Sequence, residues 1–158
     1  MTPSTGRAAL AGLCLTALAL GACSGRSQAE GANGRICFDF KAAKPVAVAG
    51  APEGAGVVDD CLRRWAYSLA PSRDAADAVA NAVTIACSAK LSYWNQQTLQ
   101  QPGAEDTSAS LITGEPTTPL GEHNAFAHRQ ALLYVVQARA GTCAPPPAVA
   151  GTPEGTAG

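Results

Sequence analysis

The stretch that decides the fold spans residues 61–87 and reads CLRRWAYSLAPSRDAADAVANAVTIAC. Its first part continues an apolar stripe whose members recur at intervals of three and four residues. These members are Val58, Cys61, Leu62, Trp65, Ala66 and Leu69. Such spacing is typical of one face of an amphipathic helix. It predicts a helix over residues 57–70, which Pro71 ends because the residue before a proline disfavours helical geometry.

A second apolar stripe follows the proline after a short turn, in which Ser72 or Asp74 can cap the next helix. The pattern predicts a helix from about Ala75 to Leu99. Its stripe comprises Ala76, Val79, Val83, Ala86, Cys87, Leu91 and Trp94. Because the connection is so short, the two helices are expected to pack as an antiparallel hairpin.

The opposite face of the first helix carries paired charges. Asp59 precedes Arg63, and Asp60 precedes Arg64, by four residues in the favourable acid-first order. We interpret this face as solvated. The alternative is that the two arginines contact an anionic partner.

Outside the hairpin the sequence predicts one more helix. Residues 101–121 contain three prolines and no sustained period, so we expect a long loop. A third helix is predicted over residues 122–140. Its apolar residues are Phe126, Leu132, Leu133, Val135 and Val136. The predicted fold is therefore mostly α, a small helical hairpin plus a third helix.

The segments on either side of these helices have different patterns. Apolar and polar residues alternate from Ile36 to Lys41, and a KPVAV run follows at 44–48, which allows a short β segment near 36–48. Residues 144–158, APPPAVAGTPEGTAG, have few side chains that could pack. We expect them to form a disordered tail.

The N-terminus has the pattern of an export signal. One cation in residues 1–7 precedes thirteen uncharged residues at 8–20, too few to span a bilayer. The sequence Leu20-Gly21-Ala22-Cys23 then resembles the lipobox of bacterial lipoproteins. This resemblance implies acylation of Cys23, including palmitate, after removal of a signal peptide at 1–22. The alternative is ordinary secretion with a chance cysteine at the cleavage site.

The composition beyond the lipobox predicts the architecture, and the residue after Cys23 refines the location. Residues 23–35 would be a tether, residues 36–143 a stapled helical domain, and residues 144–158 the tail. By analogy with lipoproteins of two-membrane bacteria, Ser24 after the cysteine favours the outer membrane over the inner one. We therefore expect the domain to be anchored on the periplasmic side of the cell envelope.

The composition restricts the classes of partner that the chain could bind, and it suggests that covalent cross-links stabilise the fold. Removal of residues 1–22 leaves 136 residues with ten basic and twelve acidic side chains. Without a basic stripe, nucleic acid is a poor partner. With only eight aromatic residues the core is thin, and small thin cores commonly need disulfides or metals.

Four cysteines remain after the signal peptide and Cys23 are set aside. An even number in an oxidising compartment predicts two disulfides. We expect Cys61–Cys87, since both lie on facing stripes, and Cys37–Cys143, which ties the ends of the helical region. The competing pattern joins Cys37 to Cys61 and Cys87 to Cys143. The stretch 61–87 also resembles a pattern in small exported bacterial helical-hairpin proteins, and that resemblance implies a hairpin disulfide but no activity.

We find no motif for catalysis, and we predict neither an enzyme nor a cofactor. The chain lacks G-x-S-x-G and a phosphate-binding glycine loop. His123 and His128 are five residues apart, which turns them away from each other on a helix and argues against a metal site. A thiol nucleophile paired with His128 is the enzymatic alternative, but paired disulfides explain the cysteines more simply.

Three residues are weak candidates for binding a partner. Lys90 interrupts the second apolar stripe, where its amine could reach solvent or form an ion pair with Asp39 or Glu122. Trp94 and Tyr93 could form a binding rim with the 101–121 loop, although Trp94 also fits a core position. We therefore predict a non-enzymatic module that binds an envelope protein or peptide. The alternative is a periplasmic inhibitor or immunity-type protein that blocks a lytic enzyme, with the 101–121 loop as the plug.

Overall fold

The computed structural model describes residues 36–46, 54–104, 106–110 and 113–157. The predicted signal peptide, Cys23 and the tether lie outside the described residues. The helices are α1 (Gly54–Leu69), α2 (Ala76–Ala86), α3 (Ser88–Leu99) and α4 (Pro119–Gly141). Two antiparallel pairs join β1 (Ser108–Ala109) to β2 (Pro116–Thr117) and β3 (Ala148–Val149) to β4 (Thr152–Pro153). The predicted class, a mostly helical fold with two disulfides, is confirmed.

The core lies where α1 and α4 pack against each other and against α2 and α3. Val58, Leu62 and Val83 are fully buried there, as the apolar stripes predict. Small residues fill much of the remaining interior. Ala66, Ala80, Ala127, Ala131 and Ala138 are all at most 2% exposed. Because alanine has a short side chain, the helices approach closely around a thin core.

The α1–α2 turn is held by one side chain from α4. Arg139 donates from Nε to the carbonyl of Ala70 at 3.0 Å, and from Nη2 to the carbonyls of Ser72 at 3.0 Å and Asp74 at 2.9 Å. The last carbonyls of a helix lack partners within the helix, so a guanidinium with several donors suits this place. The α1–α2 turn is thereby tied to α4, the helix that was predicted over residues 122–140.

The second predicted helix is divided at Cys87, which corrects the expectation of one helix from Ala75 to Leu99. Cys87 leaves helical geometry, with φ −98° and ψ 10°. Its N–H still donates to the carbonyl of Val83, and its carbonyl still accepts from Leu91. The hydrogen-bond ladder therefore spans a single irregular residue, the one that is bonded to Cys61.

Both predicted disulfides are confirmed. Cys61 bonds to Cys87 with a Cα–Cα distance of 6.0 Å, and Cys37 bonds to Cys143 with 5.4 Å. The first bond is buried in the core, whereas both cysteines of the second are partly exposed. Gly141 lies against the second bond. A Cβ at this position would come within 2.6 Å of the Cys143 sulfur and 2.7 Å of the Cys37 sulfur, so a side chain there would displace the disulfide.

Helix α4 begins three residues earlier than predicted, at Pro119. The Thr118 hydroxyl caps it by accepting from the Gly121 N–H at 3.2 Å, and Pro119 suits the first helical position. Two of the predicted apolar residues, Leu133 and Val136, are 47% and 49% exposed rather than buried. They lie on the face of α4 that turns away from the other helices.

The segments outside the helices differ from their predictions. The described residues 36–46 contain no strand, because side chains rather than a second strand satisfy the backbone there. The loop at 101–121 contains the short β1–β2 hairpin. Residues 144–157 are not a disordered tail: they form the β3–β4 hairpin, with Pro153 and Thr156 buried. Within the described part of the chain, no helix is long and apolar enough to cross a membrane.

Candidate binding groove

A groove lies between two segments that leave the Cys37–Cys143 disulfide side by side. One segment continues from Cys37 and the other from Cys143. The groove encloses about 300 Å³ and is lined by Phe38, Asp39, Phe40, Lys41, Ala144, Pro145, Pro146 and Pro147. The disulfide therefore joins the two walls at one end, although they are about a hundred residues apart in sequence.

The first wall, residues 38–41, is fixed by the helical core. The Phe38 N–H donates to the hydroxyl of Tyr67 at 3.1 Å, and the Phe40 ring meets the Tyr67 ring edge-to-face at 5.1 Å. Next to them, the Lys41 N–H donates to the Asp39 carboxylate at 2.9 Å. Since Tyr67 is only 1% exposed, this wall is positioned by a side chain that cannot itself move freely.

A charged cluster stands behind Phe38. The Arg63 guanidinium lies 4.4 Å from the centre of the Phe38 ring and 4.7 Å from that of Tyr134. It donates to Asp59 at 2.8 Å and to the Tyr134 hydroxyl at 2.7 Å, while that hydroxyl donates to Asp59. Burial, followed by the hydrogen bond to Asp59, raises the pKa of Tyr134 to about 12. The hydroxyl thus remains a proton donor at ordinary pH.

The second arginine is more deeply buried than the sequence predicts. Arg64 is 1% exposed, and its Nε donates to Asp60 at 2.9 Å. Its guanidinium lies 5.3 Å from the centre of the Phe40 ring. The predicted ion pairs are present, but the interpretation of this face as solvated is wrong, because residues 38–46 cover it. Asp60 also accepts from the Val46 N–H at 3.1 Å, which extends this covering segment along α1.

The second wall is rich in proline. Pro145, Pro146 and Pro147 have no backbone N–H, so this wall offers carbonyl oxygens and apolar ring surface. One of those oxygens, on Pro147, already accepts from the Glu154 N–H at 2.8 Å. The wall is therefore tied to Cys37 at one end and to the β3–β4 hairpin at the other.

The residues predicted to bind a partner lie elsewhere. Trp94 is half-buried, stacked on His123 with ring centres 3.5 Å apart and edge-to-face with Phe126 at 5.7 Å. Its side chain lies so close to Gly54 that a Cβ there would come within 2.5 Å. Trp94 thus has a packing role, while Tyr93 is 37% exposed beside it. A binding role for these two residues stays a prediction.

Lys90 is buried, and its partner differs from both predicted ones. The side chain is 6% exposed, and Nζ donates to the main-chain carbonyl of Ala157 at 2.9 Å. The expectation that the amine reaches solvent is wrong, and so is the alternative of an ion pair with Asp39 or Glu122, because the ammonium donates to the folded C-terminal segment. No sequence pattern linked Lys90 to that segment, which was predicted to be disordered.

The two histidines have separate partners. His123 Nδ1 lies 2.8 Å from the Asn95 side-chain oxygen, and burial lowers the pKa of this imidazole. His128 Nε2 lies 3.1 Å from the Asp77 carboxylate on an exposed surface. Over the described ranges, no three His, Cys, Asp or Glu side chains cluster as metal ligands would.

The groove was not predicted from the sequence. Its walls are Phe38–Lys41 and Ala144–Pro147, and each directly follows a cysteine of one disulfide. The predicted Cys37–Cys143 disulfide could have indicated the groove, because this bond brings together the residues that follow the two cysteines. The composition of 144–158 instead pointed to disorder.

Comparison with protein-family models, with curated proteins and with solved structures finds no match to this chain.

Proposed function

We propose that this chain is a lipid-anchored, non-enzymatic module of the cell envelope that binds an extended peptide segment in the Cys37–Cys143 groove. The observation that carries the peptide-binding part is the groove itself, which has two preformed walls. Preformed concave sites with apolar lining and a few polar groups are typical of ligand binding. The lipobox-like sequence ending at Cys23 supports the anchor.

The hydrogen-bonding groups of the walls indicate which peptides fit. Three consecutive prolines leave the second wall with carbonyl oxygens but almost no N–H donors. In the first wall, the N–H groups of Phe38 and Lys41 are already bonded to Tyr67 and Asp39. A bound segment must therefore supply donors, which a polyproline segment cannot do. An extended segment with free backbone N–H groups fits this requirement.

The apolar surface of the groove indicates the side chain. Phe38 and Phe40 contribute ring surface, and the prolines face them across about 300 Å³. This volume is at the lower end of ligand pockets, so we expect one aliphatic side chain with its flanking backbone rather than a large ligand. Asp39 and Lys41 flank the groove with opposite charges, so we expect neither strongly acidic nor strongly basic segments to be preferred.

Lipidation is tested by metabolic labelling with palmitate. Wild type should be labelled and Cys23→Ser should not be. A matched control is Cys14→Ser, which lies inside the proposed signal peptide and should leave labelling unchanged. Equal labelling of wild type and the Cys23 variant would remove the anchor from the proposal.

Peptide binding is tested by selection from a random heptapeptide library against the intact chain. We expect the recovered peptides to contain an aliphatic residue and to be poor in proline. N-methylation of the backbone next to that residue should weaken binding at least tenfold, because it removes a donor to the proline wall. Binding that survives full N-methylation would contradict the proposed recognition.

The place of binding is tested by a photo-cross-linking residue at Pro145, with Ile85 as control. Both positions are exposed, but Ile85 lies on α2, away from the groove residues. A selected peptide should cross-link at Pro145 and not at Ile85. Equal cross-linking would show that the peptide does not occupy the groove.

The inhibitor-type alternative has one observation in its favour. The segment predicted as a plug contains the β1–β2 hairpin, in which Thr113 and Gly114 are exposed at the turn. A photo-cross-linking residue at Thr113 tests it in intact cells. A cell-wall hydrolase captured there, but not at Pro145, would favour this alternative over peptide binding in the groove.

A further inference from the structure

The two disulfides differ in how far a thiol reagent can reach them. Cys61 and Cys87 are 2% and 1% exposed and belong to the helical core. Cys37 and Cys143 are both partly exposed, and their bond lies at the end of the groove. Thiol–disulfide exchange requires an attacking thiolate to reach a sulfur atom, so its rate depends on access. In the folded chain we therefore expect Cys37–Cys143 to exchange faster than Cys61–Cys87.

The last turns of α4 place hydrogen-bond acceptors beside the sulfurs of the exposed pair. Cys37 Sγ lies 3.7 Å from the carbonyl oxygen of Gly141, and Cys143 Sγ lies 3.7 Å from that of Gln137. Neither sulfur carries a proton while the disulfide is closed, so neither contact is then a hydrogen bond. After reduction each S–H group becomes a weak donor with a carbonyl already within reach. The fold therefore has a partner in place for each thiol of the reduced pair.

The disulfide is also the link between the two walls of the groove. No hydrogen bond joins residues 38–41 to residues 144–147, all of which the structure describes. The first wall is bonded instead to Tyr67, and the second to Glu154. Opening the disulfide therefore frees the end of each wall that follows a cysteine. Since weakly held segments can open without global unfolding, we expect these ends to separate while the helices stay packed.

We infer that Cys37–Cys143 is a site of thiol–disulfide exchange, through which a dithiol reductant opens the groove while the helical core stays folded. One thiolate of the reductant attacks a sulfur of the pair, which forms a mixed disulfide and releases the other cysteine as a thiolate. That thiolate takes a proton from solvent. The second thiol of the reductant loses its proton and attacks the reductant's own sulfur in the mixed disulfide. The remaining cysteine leaves and is protonated, so the protein gains two thiols and the reductant becomes a disulfide.

A dithiol suits this bond better than a single thiol does. The cysteine released in the first step stays beside the mixed disulfide, because the fold holds both segments, and it can attack again and restore the original bond. The second thiol of a dithiol competes with it inside the same complex, whereas a monothiol has to wait for another molecule. The effect of this exchange on peptide binding rests on the proposed function, since it concerns the same groove.

Access is tested by treating the intact, folded chain with dithiothreitol and trapping the free thiols with iodoacetamide at increasing times. Peptide mapping should show that Cys37 and Cys143 are alkylated at least tenfold faster than Cys61 and Cys87. The buried pair is the matched control in the same molecule, and in urea the four rates should become similar. Similar rates in the folded chain, or faster alkylation of the buried pair, would overturn the inference.

Opening of the wall ends is tested by hydrogen exchange on the oxidised and the selectively reduced chain, without peptide. The Phe38 and Cys143 amides, which donate to Tyr67 and Ala138, should exchange at least tenfold faster after reduction. The Leu91 amide, which donates to the Cys87 carbonyl, should not change. Unchanged exchange at both wall ends would overturn the inference, and so would equal acceleration at Leu91, which would mean that reduction unfolds the helices.

A variant without the bond is the control for side effects of the reductant. In Cys37→Ser/Cys143→Ser the Phe38 amide should exchange rapidly from the start, and dithiothreitol should not change its rate. A further acceleration by dithiothreitol in this variant would assign the effect to the other disulfide and overturn the inference.

Peptide affinity connects the exchange site with the groove. A peptide selected on the oxidised chain should bind the selectively reduced chain at least tenfold more weakly, because the two walls no longer hold a fixed spacing. Equal affinity would overturn the inference and leave the proposed function intact. If the oxidised chain selects no peptide, the proposed function fails. The alkylation and hydrogen-exchange measurements need no peptide, and they then decide by themselves whether the bond controls the wall ends.

Discussion

The two disulfides hold two regions of different construction. Cys61–Cys87 lies inside the helical core, between helices that already face each other through apolar stripes. Cys37–Cys143 joins two non-helical segments, residues 37–46 and 143–157, which lie on the outside of that core and which we call the shell. The core is held mainly by packing, with one bond added. The shell is held by one bond together with hydrogen bonds from the core side chains Tyr67 and Lys90 and with the burial of a few apolar side chains, such as Phe40.

The comparison is tested most strongly by removing each bond. The sequence separations are 106 residues for Cys37–Cys143 and 26 for Cys61–Cys87. The chain-entropy model gives losses of up to about 4.7 and 3.5 kcal/mol in the free energy of unfolding. We expect Cys37→Ala/Cys143→Ala to show the larger loss in urea unfolding, while its far-UV circular dichroism below the transition still shows the helices.

The reverse order of the two losses would break the comparison. It would mean that packing around the buried Cys61 and Cys87 sulfurs outweighs the length of the loop that each bond closes. Loss of the helical circular dichroism signal in the Cys37/Cys143 variant would show that the core does not fold without the bonded shell.

The second prediction concerns the joint between the hairpin and α4. Arg139→Ala removes three hydrogen bonds to the carbonyls of Ala70, Ser72 and Asp74. Hydrogen bonds from charged groups contribute about 1.5–3 kcal/mol each and are not additive, so we expect a loss of about 3 kcal/mol. Arg129→Ala, at an exposed position of the same helix, is the control and should change stability by about 0.5 kcal/mol or less. Similar losses from both would contradict the assigned role of Arg139.

The features that the sequence predicted lie mostly in the core, and those that it missed lie mostly in the shell. Periodicity located the helices, and the facing positions of Cys61 and Cys87 predicted their bond. The break at Cys87 had no signal, since its residues suit a helix. In the shell, the backbone groups of Phe38 and Ala157 bond to core side chains that are distant in sequence, Tyr67 and Lys90. Such side-chain-to-backbone contacts leave no period in the sequence, so the groove and the folded tail were missed.

The third prediction concerns Tyr134, where core and shell meet. Its pKa is raised from about 10 to about 12, so the folded state holds this proton more tightly than the unfolded state. The resulting stability is fully present below pH 10 and is lost as the pH rises through 12, by on the order of 2–3 kcal/mol. Tyr134→Phe should make unfolding less sensitive to pH over this window. Tyr93→Phe, at an exposed position, should leave the wild-type pH profile unchanged.

The smallest expected effect is at the start of α4. Thr118→Ala removes the hydroxyl that accepts from Gly121, and loss of such a cap costs about 1 kcal/mol. Thr107→Ala, at an exposed site before β1, is the matched control. Thermal unfolding of the two variants should differ by a few degrees. Indistinguishable midpoints would show that Pro119 alone is enough to start the helix.

The nested order of the two disulfides has a consequence for how the chain matures. Of the four disulfide-bonded cysteines, Cys37 emerges first, then Cys61 and Cys87, and Cys143 last. A thiol oxidant acting on the emerging chain meets Cys37 and Cys61 together before either native partner is present. The native pairing therefore requires that Cys37 wait unpaired, or that an early Cys37–Cys61 bond be exchanged by an isomerase. When the α1–α2 hairpin forms rapidly, Cys61 pairs with Cys87 before it can react with Cys37. The rate of hairpin formation therefore determines how much isomerase the protein needs.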